Sequence, residues 1–505
     1  METFDYVVVG AGSAGCVVAA RLTEDPKARV LLLEAGGTDD HPDVADPTKW
    51  PTLLHGPLDW GYMTAPMRHA NNRVDHCPRG KMIGGCHSHN ANAWVRGHPA
   101  DYDHWAYEGN AGWDWASVLP LFKRIENWQG PASALRGVGG PMYVAPPTPV
   151  GPLARACVEA GREVGLTVIE DLNGPSMEGI GYFNLTVKDG RRFSVATAYL
   201  RPAMSRPNLT VVMNADVHRL TFDESTCTGV EYAAGGAMTR AGASREVIVC
   251  AGAIGSPRLL LLSGVGPAAD LRRLGLPVIV DLPGVGLNLQ DHTLVGGVAY
   301  EAKGALPPLV NNGAETTWWW KSSASRLVPD CQPVLIEFPF ATPELAARLT
   351  DNAYVLAPSV VRTASRGSVT LASVDPNVHP RIDINYLESK ADVDALVAAI
   401  ELCREVGAAK AFDGFRKREL MPGRLGRAAM EEFVRNGATT YFHPAGSCKM
   451  GPDALAVVDA ELRVHGLQRL RVADASIMPT ITSGNTNAPS IMIGERAATL
   501  IRSAA

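Results

Sequence analysis

Gly10-x-Gly12-x-x-Gly15 is the first stretch whose residue types and spacing could do chemistry. The first glycine permits a tight turn. The second lets backbone approach a pyrophosphate, and the third lets a helix pack closely on a strand. Glu34 lies 19 residues past Gly15. A carboxylate at that spacing accepts hydrogen bonds from a ribose diol and disfavours a 2′-phosphate. Gly10, Gly12, Ser13, Ala14, Glu34 and Ala35 are therefore candidate dinucleotide contacts. The loop alone does not separate FAD from NAD.

The elements around this loop have the required order. Tyr6 to Val9 are β-branched and aromatic, as a strand requires. Cys16 to Leu22 continues as a helix, and Val30 to Leu33 is a second apolar strand ending at Glu34. A βαβ start of this kind favours a parallel α/β sheet, with the helix N-terminus presenting free N–H groups to phosphate.

Composition narrows the function. The net charge is −5, and there is no basic block. Phosphate neutralisation needs clustered Lys and Arg, so nucleic acid is a poor partner. No run approaches the roughly 18 apolar residues of a membrane span. The N-terminus enters a strand within four residues, with no secretory pattern. Nine scattered cysteines without Cys-x-x-Cys suggest neither a disulfide framework nor a zinc site. A cytoplasmic protein is expected. The 50 glycines and 36 prolines are about 17% of the chain, against an average near 12%.

Further along, residues 35–75 read as an extended meander, and 129–152 form a Gly/Pro-rich boundary. Residues 153–165 suit a helix. Residues 208–222 and 228–233 read as antiparallel strands, and Val247 to Val249 as a buried strand before a helix through Leu262. Between about 298 and 440 the style changes to scattered strands and the helices 390–407 and 428–435. The last 60 residues return to strand, turn and helix.

Several segments carry a family resemblance. They are residues 78–97 (PRGKMIGGCHSHNANAWVRG), 246–267, Gly284 to His292 (GVGLNLQDH), Leu470 to Pro479 and Gly484 to Pro489 (GNTNAP). Together the chain resembles the glucose–methanol–choline oxidoreductases from residue 4 to residue 502. The motifs are most similar to the choline oxidase and choline dehydrogenase branch, furan-alcohol oxidases included. The resemblance implies an α/β fold. A Rossmann-like FAD-binding domain (1–150, 193–297 and 441–505) would be interleaved with an α+β substrate domain (151–192 and 298–440) built on a six-stranded antiparallel sheet.

It also implies site residues. Gly84, Gly85, Asn90 and Ala91 would lie along the flavin. Val217 would neighbour the adenine, and Ala251, Asp474, Ala475, Asn485 and Thr486 would close over the cofactor. His89 falls where some relatives, choline oxidase among them, attach FAD covalently; others hold it non-covalently. His87 is the weaker candidate. Tyr441 to Ser447 resembles the catalytic histidine segment, with His443 as the base and Asn487 as its partner. Histidine can take a hydroxyl proton near neutral pH, a neighbouring amide can donate to the developing alkoxide, and flavin N5 can accept the hydride.

Trp318, Lys321, Glu337, Tyr441 and Phe442 are the expected substrate-pocket residues. Lys321 stands where the choline-oxidising relatives carry a carboxylate, which argues against choline. Glu337 either points inward or pairs with Lys321. The expected reaction is oxidation of a primary alcohol to an aldehyde, and onward to the acid if the aldehyde hydrates. Oxygen is the expected acceptor, giving hydrogen peroxide. A dehydrogenase using a quinone or other carrier, and a non-redox lyase of the hydroxynitrile type, remain alternatives. A homodimer is compatible with all of these.

Overall fold

The computed structural model describes residues 2–504. The chain opens with β1 (Glu2–Val9), α1 (Ser13–Leu22) and β2 (Val30–Glu34). A first excursion contributes β3 (Gly179–Tyr182) to a separate sheet. The chain returns through β4 (Leu209–Met213), β5 (Ala215–Asp223), β6 (Thr226–Ala234), β7 (Ala237–Val249) and α2 (Gly252–Leu262). A second excursion supplies β8 (Val298–Ala302), β9 (Thr316–Trp319), β10 (Val334–Ile336) and β11 (Ala353–Ala357). It ends with α3 (Lys390–Ala408) and β12 (Arg416–Met421). The final part brings β13 (Leu470–Val472) and α4 (Asn487–Ala504).

Two sheets organise these elements. The first has the order β4-β2-β1-β7-β6-β5, with β13 also on β7. Strands β4, β2, β1, β7 and β13 run parallel, and β6 and β5 add antiparallel. All five residues of β2 are buried, as expected of a parallel strand covered on both faces. The second sheet is six-stranded and antiparallel, in the order β12-β8-β11-β10-β9-β3. The expected α/β architecture with a six-stranded antiparallel sheet is the one observed.

Three local readings are corrected. Leu209–Met213 runs parallel to β2, not as an antiparallel partner of the next strand; its apolar pattern suits either pairing, and the neighbour it meets is remote in sequence. Residues 42–53 form short helical turns, two of them capped by His41 and Asp46. Val247–Val249 is the buried end of the much longer β7.

Register sets where a ligand can lie. Val9 pairs with Leu33 on one side and Val249 on the other, so three strands end together. In open α/β sheets the crevice outside the carboxyl ends is the binding position. Helix α4 closes over this edge from behind α1. A Cβ on Gly494 would stand 2.7 Å from the Ala14 carbonyl, so the two helices approach backbone to backbone. Beside it the fully buried Glu495 accepts from Arg21 at 2.8 and 2.9 Å, Arg124 at 2.7 Å and Tyr199 at 2.8 Å. Removing the carboxylate leaves these donors without their acceptor. Glu495→Ala is expected to destabilise the protein by about 3 kcal/mol, read as a lowered thermal midpoint.

Candidate active site

A cavity opens along the carboxyl edge of the first sheet and extends to the second. Its nucleotide end is built from main chain. Gly10 turns with φ +97°, and a Cβ on Gly15 would stand 1.9 Å from the Gly10 carbonyl. A Cβ on Gly12, by contrast, would meet no protein atom within 4 Å. Gly12 is also the N-cap of α1 and makes no side-chain capping bond. The helix thus presents uncapped N–H groups to the cavity, which favours an anion there. Glu34 closes β2 with both oxygens on main chain, accepting from Ala11 N and Gly36 N at 2.8 Å each. Burial pushes its carboxyl up to about 7.

Other segments complete the walls. Gly84 N donates to the Ala11 carbonyl at 2.7 Å, and a Cβ on Gly85 would stand 2.8 Å from Gly12 Cα. The two glycine loops therefore meet backbone to backbone. Asp474 accepts from Gly252 N at 2.8 Å, Ser256 Oγ at 2.5 Å and Ser476 N at 2.8 Å. Of the expected cofactor residues, Gly10, Gly12, Ser13, Ala14, Glu34, Ala35, Gly85, His89, Asn90, Ala91, Val217, Ala251, Asp474, Ala475, Asn485 and Thr486 line this one cavity. Gly84 lies behind it, holding the loops together.

The chemistry-bearing end centres on His443. Its backbone N–H donates to Asp291 Oδ1 at 2.9 Å. Asp291 is buried and also accepts from Tyr386 Oη at 2.5 Å and Thr440 Oγ1 at 2.6 Å. The preceding Phe442 has φ +68°, a left-handed conformation that costs a bulky residue about 1–3 kcal/mol. Its carbonyl is held by Arg79 Nη2 at 2.6 Å and its N–H by Thr440 Oγ1 at 2.7 Å. The turn aims the imidazole into the cavity. His443 Nδ1 lies 3.0 Å from His292 Nδ1, and His443 Nε2 lies 3.2 Å from Asn485 Nδ2. Burial, then His292 and the Arg79 charge, holds His443 well below the ordinary histidine range.

The expected partner of His443 is therefore corrected: the amide on its ring is Asn485, not Asn487. Asn487 begins α4 and its Oδ1 accepts from Ser13 Oγ at 2.8 Å. Two residues on, the chain has turned into the helix and the side chain faces the α1 loop. Its Nδ2 is buried with no partner among the described residues, yet Asn487 lines the cavity. Asn485 is fixed through Ser483, whose N–H and Oγ both donate to Asp101 at 2.7 Å and whose carbonyl accepts from Trp319 Nε1 at 3.0 Å.

Three substrate-pocket expectations are also corrected. Trp318, Lys321 and Glu337 do not line the cavity, whereas Tyr441 and Phe442 do. Trp318 alternates with Trp319 across β9 and is buried on the other face. Lys321 pairs with Glu178 at 2.8 Å, not with Glu337. Glu337 is buried near Glu315 by Gly151, where burial and the Glu315 charge push its carboxyl up to about 8. His87 is also away from the cavity, bonded to Val195 N at 3.0 Å and Thr186 Oγ1 at 3.1 Å.

Sequence reasoning missed His292, Asp291, Arg79 and Gln332. The first three lie inside the 284–292 and 78–97 motif segments, but nothing local assigns them a role.

A parallel sheet with a glycine cradle at its carboxyl edge, leading to a buried histidine–amide pair, defines a dinucleotide-dependent oxidoreductase. The particular family is shown by comparison. The chain matches the GMC oxidoreductase family over residues 4–294 and 363–494, and it belongs to that family. It is 39% identical to the oxygen-dependent choline dehydrogenase of Brucella anthropi, over 98% of this chain and 94% of that protein. It is 40% identical to the mitochondrial choline dehydrogenase of Homo sapiens, over 99% and 90%. Pyridoxine 4-oxidase from Mesorbium loti superimposes with a TM-score of 0.95 at 36% identity, over 98% of each chain. The protein is an FAD-dependent oxidoreductase acting on CH–OH donors.

The residues present fit FAD. The space where a Gly12 Cβ would stand is free of protein, the α1 N-terminus is uncapped, and Asn487 Nδ2 is an orphaned donor in the same cavity. Gly12→Ala places a methyl in that space and touches no protein atom. The expected result is FAD occupancy lowered by about tenfold or more. The stability of the flavin-free protein should change by no more than about 1 kcal/mol. Flavin absorbance and a melting curve of the apoprotein read the two effects separately.

Proposed function

We propose that this protein oxidises an uncharged primary alcohol to the aldehyde, with His443 as base and oxygen as the electron acceptor, giving hydrogen peroxide. The observation that carries the reading is the neutral, buried His443 ring facing the cavity with Asn485 Nδ2 at its Nε2. When bound, FAD supplies the hydride acceptor at flavin N5. His443 Nε2 takes the hydroxyl proton. One Asn485 N–H rests on Nε2; the substrate hydroxyl takes that place, and the amide then donates to the alcohol oxygen. His292 and the main-chain bond to Asp291 hold the ring in place.

Substrate charge is read from the cavity wall. Trp50, Val334, Ile336, Phe340, Tyr441 and Phe442 form its apolar part. The carboxylates that line the cavity are Glu34, Asp216 and Asp474. Glu34 and Asp474 hold main chain of the cradle, and Asp216 sits beside Val217 on β5. Arg79 brings a cation to the histidine end, so a quaternary ammonium gains no counter-charge there. This replaces the argument from Lys321. The names of the relatives, oxygen-dependent choline dehydrogenase and pyridoxine 4-oxidase, support an oxygen acceptor. The interleaved division into FAD-binding segments (1–150, 193–297 and 441–505) and substrate-binding segments (151–192 and 298–440) belongs to this proposal.

An anaerobic screen of alcohols for flavin bleaching, followed by air, tests it. Uncharged primary alcohols should exceed choline in kcat/KM by about tenfold or more, and air should restore the oxidised spectrum with release of peroxide. Bleaching without reoxidation in air would point to another acceptor. His443→Ala should lower the rate of flavin reduction by about 10²–10⁴-fold. A base of lowered pKa is already neutral near pH 6.5, so kcat/KM should stay level above that pH and fall only as pH drops through the depressed value.

We also propose the covalent link through His89: a ring nitrogen bonds to a methyl carbon of the flavin, the methyl C–H and the imidazole N–H each give up a proton, and the two electrons stay on the flavin until oxygen removes them as hydrogen peroxide. Its Nε2 lies 3.0 Å from the Leu53 carbonyl and 3.3 Å from Asp59 Oδ2. Both are acceptors, so the proton sits on Nε2 and the lone pair on Nδ1. Acid precipitation should leave the yellow colour in the pellet and, for His89→Ala, in the supernatant. Colour released from the wild type rejects the link.

A further inference from the structure

The two ends of an asparagine amide are alike in size and opposite in chemistry. Which end of Asn485 faces His443 decides whether that imidazole can act as a base. The structure carries a neighbour able to decide it. Gln332, just before β10, is fully buried, and its Nε2 lies 3.0 Å from Asn485 Oδ1. Its main chain is clamped by Ser359: the Gln332 N–H donates to the Ser359 carbonyl at 3.0 Å, and the Gln332 carbonyl accepts from Ser359 Oγ at 2.5 Å.

The hydrogen bonds beyond Asn485 have one consistent direction. With Gln332 donating to Oδ1, Asn485 Nδ2 donates to His443 Nε2, which must then carry a lone pair. The proton of neutral His443 sits on Nδ1 and is given to His292 Nδ1 at 3.0 Å. The proton of His292 therefore sits on Nε2. The carbonyls of Thr482 and Val361 bear on this ring and favour a proton on it, without closing a short bond to the buried Nε2. Carbonyls can only accept, so the reverse direction sets an unprotonated nitrogen against them. It would also put a proton on His443 Nε2, where the base needs its lone pair. Gln332 Oε1 has no partner among the described residues. The Gln332 donor, 3.0 Å from Asn485 Oδ1, holds Asn485 in the direction that leaves the lone pair on His443 Nε2.

We propose that Gln332 is a positioning residue that holds Asn485 with its Nδ2 toward His443, so that Nε2 carries the lone pair and not the proton, and the arriving substrate hydroxyl takes the place of the amide N–H on it. This rests on His443 as the base. The other groups facing the His443 ring are Arg79, Tyr441, whose ring centre lies 4.8 Å away, and Asp291, which is bonded to the main chain. None of them hydrogen-bonds to the Asn485 side chain, whose partners are Gln332 and His443.

Two near-isosteric variants separate direction from packing. Gln332→Met deletes the bond. It should lower kcat/KM about 3- to 10-fold, as the loss of one hydrogen bond does, with the acid limb of the pH profile unmoved. Gln332→Glu offers only acceptors once its buried carboxyl is ionised, so it is compared with the wild type at a pH above that ionisation. It should draw Asn485 Nδ2 to itself and turn Oδ1 onto His443 Nε2, stabilising a proton there. The expected result is a fall in kcat of about 100-fold or more, little change in KM, and an acid limb moved to higher pH. Equal losses in the two variants with an unmoved limb overturn the proposal. If Gln332→Glu does not fold, Asn485→Asp supplies the same acceptor against Nε2, and an unmoved limb there overturns it equally. His443→Ala separates the two readings. A variant that still reduces flavin at the wild-type rate removes the base assignment itself. A dead His443→Ala beside indistinguishable Gln332 variants removes only the role of Gln332.

Discussion

Contact distance between main chains is the constraint on which this structure depends. A dinucleotide lies along the carboxyl edge of the first sheet only if no side chain stands between it and the peptide groups that hold it. The loop after β1 meets this by stacking glycine on glycine. Gly15 packs under Gly10, Gly85 packs on Gly12, and the Gly12 Cβ position is left to the ligand. Each approach also joins segments far apart in sequence. The 84–85 turn is tied to residues 11–12, and α4 to α1 at Gly494. The same spacings that admit the cofactor hold the interleaved chain together. That accounts for glycine enrichment without flexibility.

A second constraint acts at the other end of the cavity. His443, the proposed base, must be neutral, aimed and dry at once. Dryness comes from burial, which by itself disfavours the imidazolium. Aim comes from the strained turn at Phe442, held by Thr440, Arg79 and Asp291. The local cost of that turn is offset by charge-assisted hydrogen bonds, which are stronger than neutral ones. Asp291 holds the histidine by its main chain and leaves the ring free. A carboxylate on Nδ1 would have raised the pKa of the ring; His292 occupies that place without a charge. A neutral partner keeps the base ready at lower pH and still receives the Nδ1 proton.

The range of each interaction decides what was legible in the sequence. The glycine spacing, the strand before it and Glu34 are local, and all appear where the spacing puts them. The parallel placement of Leu209–Met213 beside β2 was not legible, because the strand pattern names a face and not a neighbour. Asn485 and Asn487 differ by two residues in one short motif, and only the start of α4 at Asn487 turns them toward different partners. Trp318 and Trp319 sit on opposite faces of β9, so a run of three tryptophans could not say which would approach the site. Gln332 carries no signal at all. It matters through one bond to a residue 153 positions away.

These separations explain why two sheets are needed for the proposed proton transfer. His443 comes after a strand that pairs with Thr293–Val295, Asn485 sits in the turn before α4, and Gln332 lies just before β10, an interior strand of the antiparallel sheet. No single element could present three polar groups in line, because neighbours on a strand alternate faces and neighbours on a helix diverge by about 100° per residue. Convergence requires separate elements whose ends meet. The junction of a parallel sheet edge with the face of a second sheet provides that meeting point beside the cofactor. The cradle and the base are then independent in their chemistry and coupled in their position. A change in the antiparallel sheet can alter the direction of a hydrogen bond at the base while leaving the glycine loops untouched.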